Sequence, residues 1–310
     1  MNKTSILLSI SLGLVLAGCG GSVPDTYPYN YTIMTNTALV LPTPPLTPTP
    51  EVSTPIMNPS PAEEPSSTEQ QGEAFKITIV YNNVPNDPRL TTDLGFGAYI
   101  EYHDSVVLFD TGTSGEILLQ NMHILGIDPT SVQFVVISHA DDDHYGGLAD
   151  FLKVSSHPPV FLISSFDDTF FASNRRLTSE VAVTTPGQEI APGIITSGEI
   201  PGDTPEQALI IYTSKGLVVI TGCAHPGIVH IVERAIELTG EPVYMVVGGL
   251  HMWEMDASQI ESIIADLRRL GVQVVAPSHC TGDLATQMFA EEYGDGFIPT
   301  GVGSVITIDN

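Results

Sequence analysis

Ten short apolar, β-branched runs recur along the chain after residue 75: KITIVY (76–81), GAYIEY (97–102), SVVLFD (105–110), QFVVIS (133–138), VFLIS (160–164), ALIIYT (208–213), GLVVIT (216–221), VYMVV (243–247), VQVVA (272–276) and SVITI (304–308). Runs of this length, bounded by turn residues, read as strands buried on one or both faces. Between them lie stretches with helical spacing. In SGEILLQNMHILG (114–126) the residues Ile117, Leu118, Met122 and Leu125 share a face. The same pattern recurs near 226–239 and at 256–270, where Asp256 or Ser258 can cap and Ile260, Ile263, Ile264 and Leu267 form one stripe. The strands come first as hairpins and then alternate with helices, which is the order of an α/β fold whose sheets are covered by helices. Residues 75–310 read as one domain.

The chain before residue 75 is of another kind. Eleven of the 24 prolines lie between residues 20 and 74, and no Lys or Arg occurs between Lys3 and Lys76. Proline fixes φ and removes a donor, so neither helix nor sheet is expected. Residues 19–74 read as a disordered Pro/Thr/Ser-rich tether, reaching about 40 Å as a coil. Residues 1–18 carry one Lys and an apolar run too short to span a bilayer but suited to a signal peptide. The run ends Leu16-Ala17-Gly18-Cys19, which resembles the bacterial lipobox. That resemblance implies a lipidated Cys19, an anchor in a membrane and a place in the bacterial cell envelope, outside the cytoplasm.

Lys and Arg total 10 against 36 Asp and Glu, a net charge of −26. Such a chain repels nucleic acid at long range, so no nucleic-acid partner is expected. The three cysteines are too few for a disulfide framework.

The chemistry concentrates where strands end. The strand at 133–137 runs into Ser138-His139-Ala140-Asp141-Asp142-Asp143-His144-Tyr145-Gly146-Gly147-Leu148. Three adjacent carboxylates repel one another unless a cation sits among them. Imidazole nitrogen and carboxylate oxygen are zinc donors. The segment reads as a loop that turns side chains toward two neighbouring ions, and Gly146-Gly147 leaves room for a close backbone approach before a helix. His225, His251 and His279 each follow an apolar strand directly, whereas His103, His123, His157 and His230 lack that setting and read as structural or surface residues. Ligand sites of layered α/β folds are built at such strand ends.

LFDTG (108–112), SHADDDHYGGL (138–148), TGCAHPGI (221–228), GGLHM (248–252) and SHCTG (278–282) together resemble the metallo-β-lactamase superfamily, over essentially all of 75–310. The TGCAHPGI, GGLHM and SHCTG forms are similar to the subgroup of dihydropterin–ribofuranosylaminobenzene phosphate synthase-like metal-dependent hydrolases. The resemblance implies an αββα sandwich with metals at one edge. It implies that His139, Asp141 and His225 hold a first metal, that Asp143, His144 and His279 hold a second, and that Asp110 braces the loops. Asp141 stands where the common H-x-H-x-D-H loop has its second histidine. Two Zn²⁺ ions are expected, while the harder donor set also admits Mn²⁺ or Fe²⁺. His251 reads as a ligand, a substrate-binding group or a proton-transfer group, with the last two preferred. Cys223 and Cys280 read as buried thiols, a disulfide or soft ligands.

The expected function is metal-dependent hydrolysis of a small ester, lactone, thioester or phosphodiester by a metal-activated hydroxide, with Asp143 and His251 as catalytic residues. Two alternatives stand beside it: a synthase-like group transfer, and a non-catalytic surface binding lipoprotein on the same scaffold. Few basic residues are available to hold a phosphate; Arg89, Arg175 and Arg176 are the candidates. The loop 81–88 and the region 165–206 are expected to shape the pocket.

Overall fold

A computed structural model of the chain describes residues 75–308. Residues 1–18, expected to be a signal peptide, and Cys19 with the expected tether to residue 74 lie outside the described residues.

The domain starts as an antiparallel meander: β1 (Phe75–Asn82), β2 (Phe96–Tyr102) and β3 (Ser105–Phe109). Helix α1 (Gly115–Ile124) leads to β4 (Phe134–Val136), and the single turn α2 (Asp142–Tyr145) and helix α3 (Leu148–Val154) lead to β5 (Val160–Leu162). Then come α4 (Asp168–Asn174), β6 (Val181–Val183), β7 (Glu189–Ala191), β8 (Ile194–Thr196), β9 (Leu209–Thr213) and β10 (Gly216–Thr221). The chain closes with α5 (Ile228–Thr239), β11 (Val243–Gly249), α6 (Ala257–Arg269), β12 (Val274–Ser278), α7 (Asp283–Tyr293) and β13 (Val305–Ile308). Every one of the ten apolar runs becomes a strand.

Among the described residues there are two sheets. One has the order β13-β1-β2-β3-β4-β5-β6, the other β12-β11-β10-β9-β8-β7. The first is antiparallel up to β3 and parallel from β3 to β6. The second is parallel through β10, β11 and β12.

Strand alternation sorts side chains into layers. Val107 and Phe109 of β3 and Val218 and Ile220 of β10 point between the sheets, where Ile77, Ile100 and Met245 join them. Leu108 points outward to Leu118 and Met122 of α1 and Phe151 of α3. Val219 points the other way, to a layer it shares with Ile231 of α5, Ile260 of α6 and Phe289 of α7. The result is the expected αββα sandwich. Asp256, rather than Ser258, caps α6: its carboxylate accepts from the N–H groups of Ser258 and Gln259, and the Gln259 amide oxygen accepts from Asp256 N–H.

Two expectations change. The segment after His139 is no open loop: Asp141 is extended and Asp142–Tyr145 form one helical turn. The turn is too short to show a hydrophobic period, so only its acidic composition was visible. The region 165–206 holds α4 and the small strands β6, β7 and β8, and it contributes nothing to the lining of the cavity beside the histidines. Its strands are three residues each, below the length at which alternation can be read.

Candidate metal centre

The parallel strands decide where the chemistry gathers. Strands β3 and β4 end side by side, delivering Asp110 and the 138–144 segment. Strands β10, β11 and β12 likewise end together, delivering Cys223 and His225, His251, and His279. Six non-glycine residues among those described have positive φ, and four of them are here: Asp110, Ala224, His251 and His279. Left-handed backbone costs of order 1–3 kcal/mol at such residues, and it persists where the surroundings enforce it.

The donors form two triads. In the first, Asp141 Oδ2 lies 3.4 Å from His139 Nε2 and 3.5 Å from His225 Nε2. In the second, Asp143 Oδ2 lies 3.3 Å from His279 Nε2 and 3.7 Å from His144 Nε2, and the two imidazole nitrogens are 3.3 Å apart. The rings of His139 and His144 join the triads, with centroids 4.1 Å apart. Donors about 2.0–2.2 Å from one zinc ion in tetrahedral array stand about 3.3–3.6 Å from one another. Both triads have nearly these spacings. The Nε2 atoms of His139 and His225 are buried and have no hydrogen-bond partner. A buried acceptor left bare is costly, and a cation between it and the carboxylate removes that cost. The residues present therefore fit a pair of metal ions.

The far side of three of the four rings is fixed by the protein. His144 Nδ1 is 2.7 Å from Asp110 Oδ2. Ser138 Oγ–H donates to the same carboxylate at 2.7 Å and accepts from His139 Nδ1–H at 2.8 Å. His279 Nδ1–H donates to Asn83 Oδ1 at 2.7 Å. In each case the outer nitrogen carries the proton, so Nε2 turns a lone pair into the site. Asp110 thus braces two of the rings without facing the centre. Complete burial pushes its carboxyl up to about 7, even though His139 and Ser138 pull the other way. Burial opposes charge on His139, but Asp141, Glu206 and Asp110 outweigh it and raise that imidazole to about 9, so the negative charge around the ring favours a cation at Nε2, a proton or a metal ion in its place. Burial holds His144 well below its ordinary value, reinforced by His139 and His279. The His139 imidazole 3.4 Å away brings Asp141 down to about 2.

Glu206 was not singled out in the sequence. It is fully buried, and its carboxylate accepts the backbone N–H groups of Gly222, Cys223, Ala224 and His225 at 2.8–3.0 Å. It holds the loop that presents His225. Nothing local marks it among 36 acidic residues; only its burial sets it apart. Asn82 is a second such residue. A register shift in β1 between Ile79 and Tyr81 re-aims the strand end, and Asn82 donates from Nδ2 to Ser278 Oγ beside His279.

His251 stacks near His225, ring centroids 4.1 Å apart, and its Nδ1 is buried without a partner. Cys223 and Cys280 are free thiols, the first buried and the second half-buried, with sulfurs 3.2 Å apart. His103, His123, His157 and His230 are exposed. A cavity of about 950 Å³ opens beside His279, lined in part by Asn83, Pro85, Trp253, Asp283 and Leu284, and no Lys or Arg lines it. The 81–88 loop thus reaches the cavity as expected. Arg89 is paired with Asp87 at 2.5 Å, and Arg175 and Arg176 line a separate depression with Asp168 and Phe171.

The profile of the metallo-β-lactamase superfamily matches residues 95–279, the span that contains every donor named above. The chain belongs to the metallo-β-lactamase superfamily. A 7,8-dihydropterin-6-methyl-4-(beta-D-ribofuranosyl)-aminobenzene-5'-phosphate synthase of Methanocaldococcus jannaschii is 32% identical over 245 residues, covering 64% of this chain and 83% of that one. Among solved structures, Tm1679, a metal-dependent hydrolase of the β-lactamase superfamily, is 28% identical with a TM-score of 0.65, covering 76% of this chain and 100% of that one. The metallo-β-lactamase fold protein YhfI of Bacillus subtilis has a TM-score of 0.57 at 14% identity, with 76% and 100% coverage, and shares the fold. In this metallo-β-lactamase-superfamily chain five loops from two sheets carry the clustered side chains.

Proposed function

We propose that this protein is a metal-dependent hydrolase acting on a small ester, lactone, thioester or phosphodiester. The observation that supports it most is the pair of carboxylate–imidazole triads, the first of which turns two bare, buried Nε2 atoms toward its carboxylate oxygen. His139, Asp141 and His225 would hold one ion, and Asp143, His144 and His279 the other. Bound there, the ions would supply Lewis acidity and an activated water near neutral pH, and zinc is the first candidate.

The chain's own residues do the rest. Asp143 is partly open to solvent, so its carboxylate is placed to orient a nucleophile and to take up its proton at a carboxylate oxygen. His251, half-buried beside His225, would meet a substrate oxygen or protonate a leaving group through its ring. Trp253, on the cavity wall, is 61% exposed and gives an apolar platform for the substrate body. The likeness to the 28%-identical metal-dependent hydrolase supports the same reading.

A second reading is supported by the 32%-identical synthase: group transfer onto an aromatic or pterin-like acceptor, for which Trp253 is a stacking surface. The cavity's lack of Lys and Arg weighs against a substrate whose phosphate lies away from the metal centre. We further read Cys19 as a lipidated anchor that holds the domain on the outer side of a bacterial membrane. The run Leu16-Ala17-Gly18-Cys19 and the Pro-rich tether support this.

The test is elemental analysis of the purified chain, followed by turnover on a panel of esters, lactones, thioesters and phosphodiesters. About two equivalents of metal are expected, lost in a His139→Ala/Asp143→Ala double variant. Asp143→Ala or His144→Ala should lower turnover by at least 100-fold while circular dichroism stays unchanged. Full turnover in either variant would remove these residues from the reaction. Transfer of a pterin-like group with no hydrolysis would favour the second reading. For the anchor, a labelled fatty acid should be incorporated into the native chain and not into Cys19→Ala; equal labelling of the two would refute it.

A further inference from the structure

Cys223 occupies an unusual position. The residue is 4% exposed, and its sulfur lies 3.3 Å from His144 Nε2. Within a span of 4.8 Å its sulfur groups with donor atoms of three separate sets: His139 with His144, His225 with His251, and His279 with Cys280. It is therefore placed between the two carboxylate–imidazole triads and within reach of both. One wall of that space is His139 Nε2, an atom without a hydrogen-bond partner on a fully buried ring. A zinc ion about 2.0–2.1 Å from an imidazole nitrogen and about 2.3 Å from a sulfur separates the two donors by about 3.5 Å in tetrahedral geometry. The observed 3.3 Å is close to that spacing.

The backbone has been shaped to allow this approach. Gly222 and Gly249 flank the sulfur pair. A Cβ on Gly249 would stand 2.8 Å from Cys280 Sγ and 2.3 Å from the Gly222 carbonyl oxygen. The four N–H groups that Glu206 gathers include that of Cys223 itself. Cys280 Sγ–H is 3.2 Å from Cys223 Sγ and can donate to it.

We propose that Cys223 is a sulfur ligand of the metal centre, donating its thiolate between the two triads, with Cys280 as its hydrogen-bonding support. This rests on the metal-dependent reading above and refines it. On ligation the S–H bond of Cys223 breaks, a metal–sulfur bond forms, and the proton passes to solvent; no oxidation or reduction is involved. A thiolate donor changes which ion the centre selects. The two carboxylates and four imidazoles admit Mn²⁺, Fe²⁺ or Zn²⁺, whereas soft sulfur favours Zn²⁺, Fe²⁺ or Co²⁺ over Mn²⁺.

The experiment uses the full chain, purified under reducing conditions and loaded with Zn²⁺ or with Co²⁺. Zinc-edge X-ray absorption on the unmutated protein should show a sulfur scatterer at about 2.3 Å. The Co²⁺ form should show a near-ultraviolet sulfur-to-cobalt charge-transfer band. That band should be lost in Cys223→Ser and retained in Cys280→Ala, with metal content measured beside each spectrum. Bound metal with only nitrogen and oxygen around it would overturn the ligand assignment and leave the hydrolase reading standing. So would a charge-transfer band that disappears in Cys280→Ala alone. Cys223 and Cys280 found joined as a disulfide in the metal-loaded protein would also overturn it. Failure to bind any metal would overturn both readings. The absorption experiment needs no variant, so misfolding of Cys223→Ser does not blunt the test.

Discussion

Glu206 shows how much a single buried charge can organise. One carboxylate accepts four consecutive backbone N–H groups and so fixes the loop 222–225, on which both Cys223 and His225 ride. A carboxylate is acceptor-only and suits four donors; an amide has one acceptor oxygen and two donors of its own. Glu206→Gln would therefore leave the His225 N–H facing another N–H. The expected cost is about 1–3 kcal/mol in urea unfolding, because a buried donor loses its partner. A drop in metal affinity of about 10–100-fold is expected as well, although Glu206 touches no metal position. Chelator competition measures the second effect. An unchanged affinity would mean that the loop holds its shape without the carboxylate.

Among the elements, the strand ends matter more than the strands. The step from β10 into its loop passes within van der Waals contact of the step out of β4. Gly222 sits at that crossing, where a Cβ would stand 2.2 Å from Ser138 Oγ and 2.8 Å from Asp110 Oδ2. These are the two groups that set the protonation of His139 and His144. Gly222→Ala should cost about 1–3 kcal/mol by overpacking. It should also lower metal content, since the clash falls on the bracing group rather than on a free side chain. Thermal unfolding with and without added Zn²⁺ separates the two effects: a variant that is destabilised yet keeps its full zinc-induced gain would place the damage away from the centre. The same logic explains the Gly146-Gly147 pair before α3. A Cβ on either would stand 2.3 Å from a carbonyl oxygen of the segment after β3, Thr113 for the first and Thr111 for the second.

Across the whole molecule, buried tyrosines make stability depend on alkaline pH. Burial pushes Tyr81 up to about 12, with its hydrogen bond to Asp93 in support, and burial does the same for Tyr293. The unfolded phenol ionises near pH 10. Below that pH both states hold the proton and the stabilisation is fully present. As pH rises from about 10 toward 12, the unfolded chain releases protons that the folded chain keeps, and stability falls. Tyr293→Phe should flatten this decline, read as the urea midpoint against pH. Its hydroxyl is buried without a partner while its ring stacks 3.7 Å from the Arg268 guanidinium. The phenylalanine variant should therefore be as stable as the native chain at pH 7, or more stable by about 1 kcal/mol. A loss at pH 7, or an unaltered alkaline slope, would show that the hydroxyl has a partner in solution.

The sequence by itself determined ten of the thirteen strands among the described residues, the layers, and which imidazoles and carboxylates gather at the strand ends. Apolar runs of five or six residues carry their own period, and a histidine that follows such a run is carried to a strand end whatever the rest of the chain does. His139, His144, His225, His251 and His279 were legible for that reason, as was the cluster Asp141–Asp143. Three features belonged to the tertiary structure alone. The three-residue strands β6, β7 and β8 are too short to show alternation, and they form because neighbouring strands offer them unpaired edges. The role of Glu206 depends on burial, which no local pattern encodes in so acidic a chain. The placing of Cys223 among three sets of donors requires loops from both sheets, separated by scores of residues in sequence, to meet at one edge. Local spacing fixes what a residue can do; only packing across the sandwich fixes which groups it does it with.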